Sequence, residues 1–307
     1  MILRQAAFEG APQYLLKGGL HCHTTRSDGK LSPADTIRQH ARAGYDFLAL
    51  TDHRYYNYAD YAPDANVLIM PGMELDGNLT TREGMCFHTV AIGPEADKNG
   101  YKQDDRFDSV RIANQFEYQP VVDSILANGN LAIYCHPEWS CTPPRSFDKL
   151  NGCFAMELWN SGCVIENEQD VDNGFIWDDL LMQGKQIFGV AVDDGHKAEH
   201  HCLGWVRVNA EKNVSSIFEA LKNGAFYSSC GPEIYDFYIE DGFAHLKCSP
   251  CAYIQFQGGW RPTRLIRNPD GLITEAQLDL PACFFYVRAT VMDQHGRKAW
   301  TNPIFRG

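Results

Sequence analysis

The chain has 307 residues, of which 44% are hydrophobic, so it is long enough to bury a sizeable core in one large domain or two. Its formal net charge is −12 and it has no basic arm, which argues against a long nucleic acid bound along an extended surface. The sequence has neither a signal-peptide pattern nor an apolar run of about 18 residues, and its 11 cysteines are scattered. We therefore expect a cytoplasmic protein in a reducing compartment, without a membrane partner.

Short apolar strands alternate with helical stretches from about residue 16 to residue 230. The segment LKGGLHCH predicts a strand, and a helix follows in which Ser32 can cap the first turn, Pro33 suits that turn and Gly44 ends the helix. Later strands are predicted in YDFLALT, NVLIMPGMEL (ending at Glu74), MCFHTVAIG, LAIYCHPEW, CFAMELWN and QIFGVAVDDGH, and later helices in FIWDDLLMQG and VSSIFEALKNG. This alternation predicts an α/β fold built on a parallel sheet, closed or open.

The pattern of apolar and polar residues changes after about residue 231. Residues 232–307 alternate apolar and polar side chains, are broken by Gly, Pro, Asn and Asp, and show no helical period. This pattern is typical of a small antiparallel, sandwich-like β domain. The predicted organisation is an α/β domain at residues 1–231 followed by an all-β domain at residues 232–307.

Side chains that can bind metal collect at the ends of the predicted strands. His21 and His23 are two residues apart and point to one face of their strand, and Asp194 and His196 repeat that spacing. Catalytic groups gather at the C-terminal ends of the strands in a parallel barrel, so both pairs can converge on one pocket. Imidazole and carboxylate together suit Zn, Mn or Fe. The full set at strand ends is His21, His23, His53, Glu74, His136, Asp194 and His196.

The segments HCHTTRSDG, LALTDH, MPGMEL, FHTVAIG, YCHPEW and VAVDDGH resemble the PHP family, named after polymerase and histidinol phosphatase. The resemblance covers roughly residues 16–231. It implies a distorted seven-stranded (β/α) barrel, related to the TIM barrel, that holds two or three divalent metal ions (Zn, Mn or Fe). Family members usually hydrolyse phosphoesters. The C-terminal segments FYSSCGP and RKAWTNPIF are similar to the CehA/McbA-like branch, some of whose members are assigned carbamate ester hydrolysis.

The resemblance also implies a ligand set. The first metal ion would be held by His21, His23, Glu74 and Asp194. Glu74 would bridge to a second metal ion completed by His88 and His136. The third metal ion would be held by Asp28, His53 and His196. Asp28 stands where some branches have a histidine, and the SDG form is the one seen in small phosphoesterases.

The implied reaction is attack by a metal-bridging hydroxide on a phosphomonoester or phosphodiester, without a covalent enzyme intermediate. His53 or His196 would serve as general acid if the third metal ion is absent. Asp52 would orient a neighbouring ligand, or alternatively only cap the turn that follows it. Cys22 and Cys135 alternate with ligands along their strands and are expected to be packing residues, and His40 is expected at the surface of its helix. Candidate substrate contacts, each with the alternative of a plain surface or interior role, are Arg26, Arg54, Arg145, Asn160, Lys197 and His200.

Three functions are compatible with these residues. The leading one is a metal-dependent phosphoesterase acting on a small phosphorylated substrate, such as a nucleotide or the end of a short oligonucleotide. The second keeps the metal centre but hydrolyses a carbamate or another non-phosphate ester. The third, a barrel that binds metal or ligand without turnover, is disfavoured because every ligand position is filled. The sequence names neither the native metal nor the oligomeric state.

Overall fold

A computed structural model of the chain describes residues 2–10, 14–80, 85–142, 150–259 and 263–306. The predicted substrate contact Arg145 lies outside these residues. Helices in the described part are α1 (Pro33–Arg42), α2 (Gln119–Ala127), α3 (Ser161–Asn167), α4 (Gly174–Met182) and α5 (Val214–Lys222). None of the helices within these ranges is long and apolar enough to cross a membrane.

The described strands are short, and most belong to one of three sheets. In chain order they are β1 (Leu3–Arg4), β2 (Leu16–Gly19), β3 (Phe47–Ala49), β4 (Leu68–Met70), β5 (Gly72–Leu79), β6 (Cys86–Ile92), β7 (Val110–Ile112), β8 (Leu131–Tyr134), β9 (Cys153–Asn160), β10 (Phe188–Val192), β11 (Trp205–Val208), β12 (Phe226–Ser229), β13 (Ile234–Glu240), β14 (Phe243–Cys251), β15 (Tyr253–Gly258), β16 (Arg264–Ile266), β17 (Ile273–Asp279), β18 (Tyr286–Met292), β19 (Lys298–Thr301) and β20 (Ile304–Phe305).

Helix α1 begins as the sequence predicts. The Ser32 hydroxyl accepts a hydrogen bond from the backbone N–H of Asp35, and Pro33 occupies the first turn. The helix ends at Arg42, and Gly44 follows with a φ of 75°, a left-handed conformation that glycine adopts without strain. Capping chemistry therefore fixes both ends of the helix that follows the first histidine pair.

The strands expected to form a seven-stranded barrel are divided between two sheets, and these sheets do not close into a barrel. One sheet has the order β10-β9-β8-β6-β5-β7. The other contains β2, β3 and β4 as a parallel edge and continues through β11 and β12. At the site the two sheets meet through isolated bridges, Cys22 with Gly195 and His53 with Glu74. The coarser prediction of a mixed α/β fold is confirmed, whereas a closed barrel is not formed.

Strand β6 departs from the predicted parallel arrangement because it runs antiparallel to both of its neighbours, β5 and β8. Only a short connection, from Leu79 to Cys86, joins β5 to β6. A parallel pair needs a crossover of roughly a dozen residues or more, so a connection of this length produces a hairpin. His88 consequently reaches the site from the middle of a strand.

Glu74 also lies within a strand, whereas the sequence predicts it at a strand end. Strand β4 stops at Met70 and β5 starts at Gly72, because Pro71 between them has no backbone N–H to continue the ladder. Glu74 is the third residue of β5 and is fully buried. Its carboxylate therefore has little freedom to move away from the side chains around it.

An apolar core fills the space between the two sheets and supports the site. It contains Phe47 of β3, Val90 of β6, Ile133 of β8 and Val190 of β10, all fully buried. Gly18 in β2 is required for this packing, because a Cβ at that position would lie 2.0 Å from the Phe47 ring. The strand that leads to His21 is thus held directly against the core.

The strands after residue 232 pair antiparallel and belong to two sheets. Strands β13, β14 and β17 form a sheet whose edge is β1, from the N-terminal end of the chain. Strands β15, β16, β18 and β19 extend the sheet that contains β2, and the joining ladder pairs Tyr227 of β12 with Thr301 of β19. Hydrogen bonds therefore cross the predicted boundary at residue 231, and the division into two domains stays a prediction.

Candidate metal centre

Glu74 occupies the middle of a cluster of histidines. Its Oε2 atom lies 3.0 Å from His53 Nδ1, 3.2 Å from His23 Nε2 and 3.4 Å from His21 Nε2. The side chains of Glu74, His21 and His23 are buried, and that of His53 is 16% exposed. The three histidines come from the segments that follow β2 and β3, so the sheet edge brings them to the carboxylate of β5.

The other carboxylate oxygen of Glu74 faces a different pair of histidines. Glu74 Oε1 lies 2.9 Å from His88 Nδ1 and 3.5 Å from His136 Nε2. His88 projects from β6, and His136 follows β8 with a φ of 25°, a backbone conformation that is costly outside glycine. The two oxygens of Glu74 thus face different histidines, but His53, the histidine nearest to Oε2, belongs to the third predicted ligand set, and the bridging role stays a prediction.

Asp194 completes the inner part of the cluster. Its Oδ1 atom lies 3.1 Å from His23 Nε2 and 3.2 Å from His21 Nε2, and its Oδ2 atom lies 3.8 Å from His136 Nε2. Asp194 also has a left-handed backbone, with a φ of 46°. Strained residues of this kind persist only where the surrounding structure holds them, and they concentrate at functional sites.

A third group lies nearer to solvent. Asp28 Oδ1 lies 3.4 Å from His196 Nε2, and Asp28 Oδ2 lies 3.8 Å from His53 Nε2. The Asp28 side chain is 55% exposed, in contrast to the buried carboxylates of Glu74 and Asp194. One donor atom from each of His23, Asp28, His53 and His196 lies within 4.8 Å of the others. The structure therefore brings all nine predicted ligands together, with Asp28 at the mouth.

Asp52 is fully buried beneath the loop that carries Asp28. Its carboxylate accepts hydrogen bonds from the backbone N–H and the hydroxyl of Thr24, and from the same two groups of Ser27. These contacts lie before Asp52 in the chain rather than in the turn that follows it. The geometry fits a residue that positions the Asp28 loop.

Glu157 of β9 was not among the predicted ligands, yet it contacts two of them. Its Oε1 atom lies 2.7 Å from His21 Nδ1, and its Oε2 atom accepts a hydrogen bond from the backbone N–H of His136. Asn160, a predicted substrate contact, is buried beside it and donates to Glu157 and to Asp194. The Asn160 side-chain oxygen caps α3 by accepting from the N–H of Cys163.

The acids and histidines of the centre shift one another's pKa values. Burial opposes charge on Glu74, but His53, His21 and His88 outweigh it and hold the Glu74 pKa well below its usual value. At Asp194 burial is likewise outweighed, with His21 the largest contributor, and its pKa is also well below the usual value. Burial lowers and the carboxylates of Asp194 and Glu74 raise the pKa of His21, which ends well above its ordinary range. The carboxylates and histidines of the centre therefore stabilise one another's charged forms.

The residues of the centre fit divalent metal ions. His53 Nδ1 and Glu74 Oε2 are buried and 3.0 Å apart, yet neither makes a hydrogen bond within the described residues. A buried polar atom without a partner costs about 1–3 kcal/mol, a penalty that coordination to a cation removes. Imidazole and carboxylate donors together suit Zn, Mn and Fe. Both the unpaired atoms and the donor types thus point to a metal centre.

The centre opens into a cavity of about 390 Å³. His21 and His23 lie beneath it, and the predicted contact His200 lines it. Arg26 instead pairs with Asp104, Arg54 with Asp76 and Lys197 with Glu166, and none of these three cations is among the described residues that line the cavity. The lining residues are Asp28, Lys30, His53, Glu74, His88, His136, Trp139, Gly162, Cys163, Glu166, Asn167, Asp194, His196 and His200.

Six lining residues were not predicted from the sequence: Lys30, Trp139, Gly162, Cys163, Glu166 and Asn167. Trp139 packs edge-on against His136, with ring centroids 4.9 Å apart, and it follows that histidine in the motif YCHPEW. Lys30 comes directly after the SDG segment. Glu166 lies on α3 and has no sequence signal, because only the fold brings that helix to the cavity.

Comparisons with known proteins give partial similarities. No family model matches the chain. A stretch of 80 residues, 25% of the chain, is 34% identical to a 5'-3' exoribonuclease of Haemophilus influenzae and spans 28% of that protein. A two-domain Bacteroides vulgatus protein containing a predicted PHP-like metal-dependent phosphoesterase has 15% identity and a TM-score of 0.49 over 95% of this chain and 87% of its own. PHP-like proteins are thus among the structural neighbours of this chain.

A second structural neighbour is named for a different activity. It is an amidohydrolase of Chromobacterium violaceum with bound sulfate, which has 16% identity and a TM-score of 0.41 over 59% of this chain and 87% of its own. The CehA/McbA-like branch stays a prediction.

Proposed function

We propose that the chain is a metal-dependent hydrolase of the PHP family that cleaves a small phosphomonoester or phosphodiester. The observation that carries this proposal is the convergence of nine imidazole and carboxylate side chains around the buried Glu74, at a cavity of about 390 Å³. A cavity of this size suits a small ligand. The PHP motifs in the sequence supply the reaction class.

The proposed centre holds two or three divalent ions of Zn, Mn or Fe. The first would be held by His21, His23, Glu74 and Asp194, the second by Glu74, His88 and His136, and the third by Asp28, His53 and His196. When bound, such ions would supply activated water near neutral pH and neutralise charge on a phosphoryl group. The division of Glu74's two oxygens between the inner histidine groups supports the assignment.

The chain's own residues would bind and orient the substrate. His196 donates from Nδ1 to the backbone oxygen of Asp194, so its Nε2 atom is the nitrogen that faces Asp28 and the mouth. That nitrogen, or the one His53 turns towards Asp28, would protonate the leaving oxygen if the outer cation is absent. Lys30 lines the same cavity and would attract an anionic group, whereas burial lowers the pKa of His200, which would contribute a hydrogen bond rather than a charge.

A phosphate ester at the end of a nucleotide or short oligonucleotide is the substrate that we favour. The similarity to a 5'-3' exoribonuclease over 80 residues supports it. The formal net charge of −12 disfavours extended contact with a long nucleic acid. Trp139 is 40% exposed and lines the cavity, so its ring is available to contact a base.

We also place the protein in the cytoplasm. All of its cysteines are free, which supports a reducing compartment. Burial raises the pKa of the Cys22 and Cys135 thiols well above the usual value, and both are fully buried. They are packing residues rather than nucleophiles.

The test uses protein loaded with Mn, Zn or Fe and three substrates: p-nitrophenyl phosphate, bis-p-nitrophenyl phosphate and a carbamate ester. We expect hydrolysis of at least one phosphate ester, and its loss when the metal is chelated. Cleavage of the carbamate alone would replace the phosphoesterase with the alternative hydrolase. Metal binding without turnover of any of the three substrates would leave only a binding role.

A further inference from the structure

A second group of metal-binding side chains lies outside the cavity, beneath α1. It consists of His40 in α1, Asp193 directly after β10, and His201 in the segment that follows. All three are buried, with at most 3% of their surface exposed. One donor atom from each lies within 4.8 Å of the other two. The sequence analysis placed His40 at the helix surface, so its burial is a correction that calls for a physical explanation.

The orientation of His40 leaves a lone pair aimed at an acid. Its Nδ1 atom donates a hydrogen bond to the backbone oxygen of Thr36 at 2.8 Å. In a neutral ring the lone pair is then on Nε2, which lies 3.3 Å from Asp193 Oδ2. Two acceptors facing each other at this distance require a proton or a cation between them. A histidine whose second nitrogen donates to a backbone carbonyl is the usual arrangement of a metal ligand.

Asp193 is held in place by backbone groups. Its Oδ1 atom accepts hydrogen bonds from the N–H groups of Leu203 and Gly204, and its Oδ2 atom accepts one from the N–H of Cys202 at 2.6 Å. A carboxylate oxygen has two lone-pair positions, so Oδ2 keeps one for the side of His40. The segment after His201 therefore fixes the acid in a position from which it can bind a cation.

The surroundings of His201 distinguish between a proton and a cation in the space between His40 and Asp193. Both of its ring nitrogens are buried and have no hydrogen-bond partner among the described residues. Its ring centroid lies 5.3 Å from that of His40, and a Cβ on Gly195 would lie 2.2 Å from His201 Nδ1. The missing side chain at Gly195 thus makes room for the ring. A proton on His40 would satisfy the pair with Asp193 but would leave His201 without a partner.

We propose that His40, Asp193 and His201 bind a zinc ion in a second site, separate from the cavity at Glu74. Two imidazoles and a carboxylate are a donor set that zinc accepts. Two ligands of a tetrahedral zinc are roughly 3.4 Å apart, given bonds of about 2.1 Å, and the His40–Asp193 separation is 3.3 Å. The ion would tie α1 to the segment that carries His196 and His200. This site does not depend on the proposed phosphoesterase activity.

The direct test is crystallographic and uses the whole 307-residue chain loaded with zinc. Anomalous difference maps from data collected above and below the zinc absorption edge should show a peak within bonding distance of His40, Asp193 and His201. Peaks at Glu74 in the same crystal serve as the positive control. A crystal with zinc at Glu74 and no peak at His40 would overturn the proposal and leave a proton or a water there.

The second measurement is the zinc content of variants in solution. We expect His201→Phe to contain one zinc ion fewer per chain than its matched control His245→Phe, which alters a histidine stacked on Tyr238. His40→Gln should lose the same single ion, and circular dichroism verifies that both variants fold. Equal zinc content in both variants and the control would contradict the site, and if a variant does not fold, the anomalous map decides.

Discussion

Glu157 Oε1 lies 2.7 Å from His21 Nδ1, and this contact determines which nitrogen of His21 faces the metal centre. With Nδ1 donating to Glu157, Nε2 of a neutral ring carries the lone pair that points towards Asp194, 3.2 Å away. Glu157 also accepts a hydrogen bond from the backbone N–H of His136. One buried acid therefore orients two ligands, which follow two different strands. Partners of this kind fix both the tautomer and the direction of a metal-binding histidine.

Replacing Glu157 should therefore weaken metal binding although Glu157 is not a proposed ligand. We expect Glu157→Gln to lower metal affinity by about 10–100-fold, the usual effect of removing such a partner. The measurement is a competition titration against a chelator. Glu95→Gln is the matched control, because Glu95 pairs with Lys98 at the surface. Unchanged affinity in Glu157→Gln would show that His21 is oriented by other contacts.

Because Glu74 is the proposed bridging ligand, replacing it should reduce metal binding and activity more than replacing Glu157. Glu74→Gln keeps the side-chain volume but removes the negative charge shared by two histidine groups. We expect metal content and hydrolysis to fall together, with activity lower by at least about 100-fold, since even outer partners of a metal cost up to that factor. Elemental analysis and a phosphate-ester assay measure the two. Full metal content with full rate would contradict the bridging role.

Asp28 tests whether the outer ion is separable from the inner ones. Its carboxylate is 55% exposed and contacts the histidines at the mouth rather than Glu74. We expect Asp28→Asn to bind one metal ion fewer per chain while the ions at Glu74 remain. Elemental analysis after gel filtration gives the count, with Asp64→Asn, a surface residue paired to Arg38, as the control. Equal counts in the two variants would remove Asp28 from the ligand set.

Asp52 should affect stability as well as the position of Asp28. Asp52→Ala would leave the buried backbone N–H of Thr24 and the half-buried N–H of Ser27 without an acceptor. Each orphaned donor costs about 1–3 kcal/mol, so we expect a loss of roughly 3 kcal/mol in the free energy of unfolding. Urea denaturation measures it. A loss no larger than that of Asp64→Ala would mean that water replaces the carboxylate.

Local chemistry explains what the sequence could predict. Ser32, Pro33 and Gly44 define α1 through capping and backbone preference, which depend only on neighbouring residues. The predicted ligand positions follow from family motifs. These motifs identify residues that can bind metal, but they do not show which strands pair. The motifs do not show which ligands Glu157 contacts, because that depends on a residue 136 positions earlier.

Long-range pairing explains what the sequence could not predict. Glu74 lies inside β5 because Pro71 divides a run of residues that looks like one strand. His40 lies three positions after Ile37, on the buried face of its helix, but its polar partner Asp193 lies 153 positions away, so the sequence does not show why a histidine is buried there. The open arrangement of the sheets has the same origin, since the short connection accounts for the β5–β6 pair but no local pattern records that β6 also runs antiparallel to β8.

The ladder that crosses residue 231 connects the last strands of the chain to the first strand of the metal centre. Trp300 pairs with Ser228, Ser228 with Val206, and Val206 with Gly18, three residues before His21. A chain shortened at residue 231 would leave β12 as a bare edge, open to pairing with another molecule. The C-terminal strands therefore shield the protein from self-association as well as bracing the strand on which catalysis would depend.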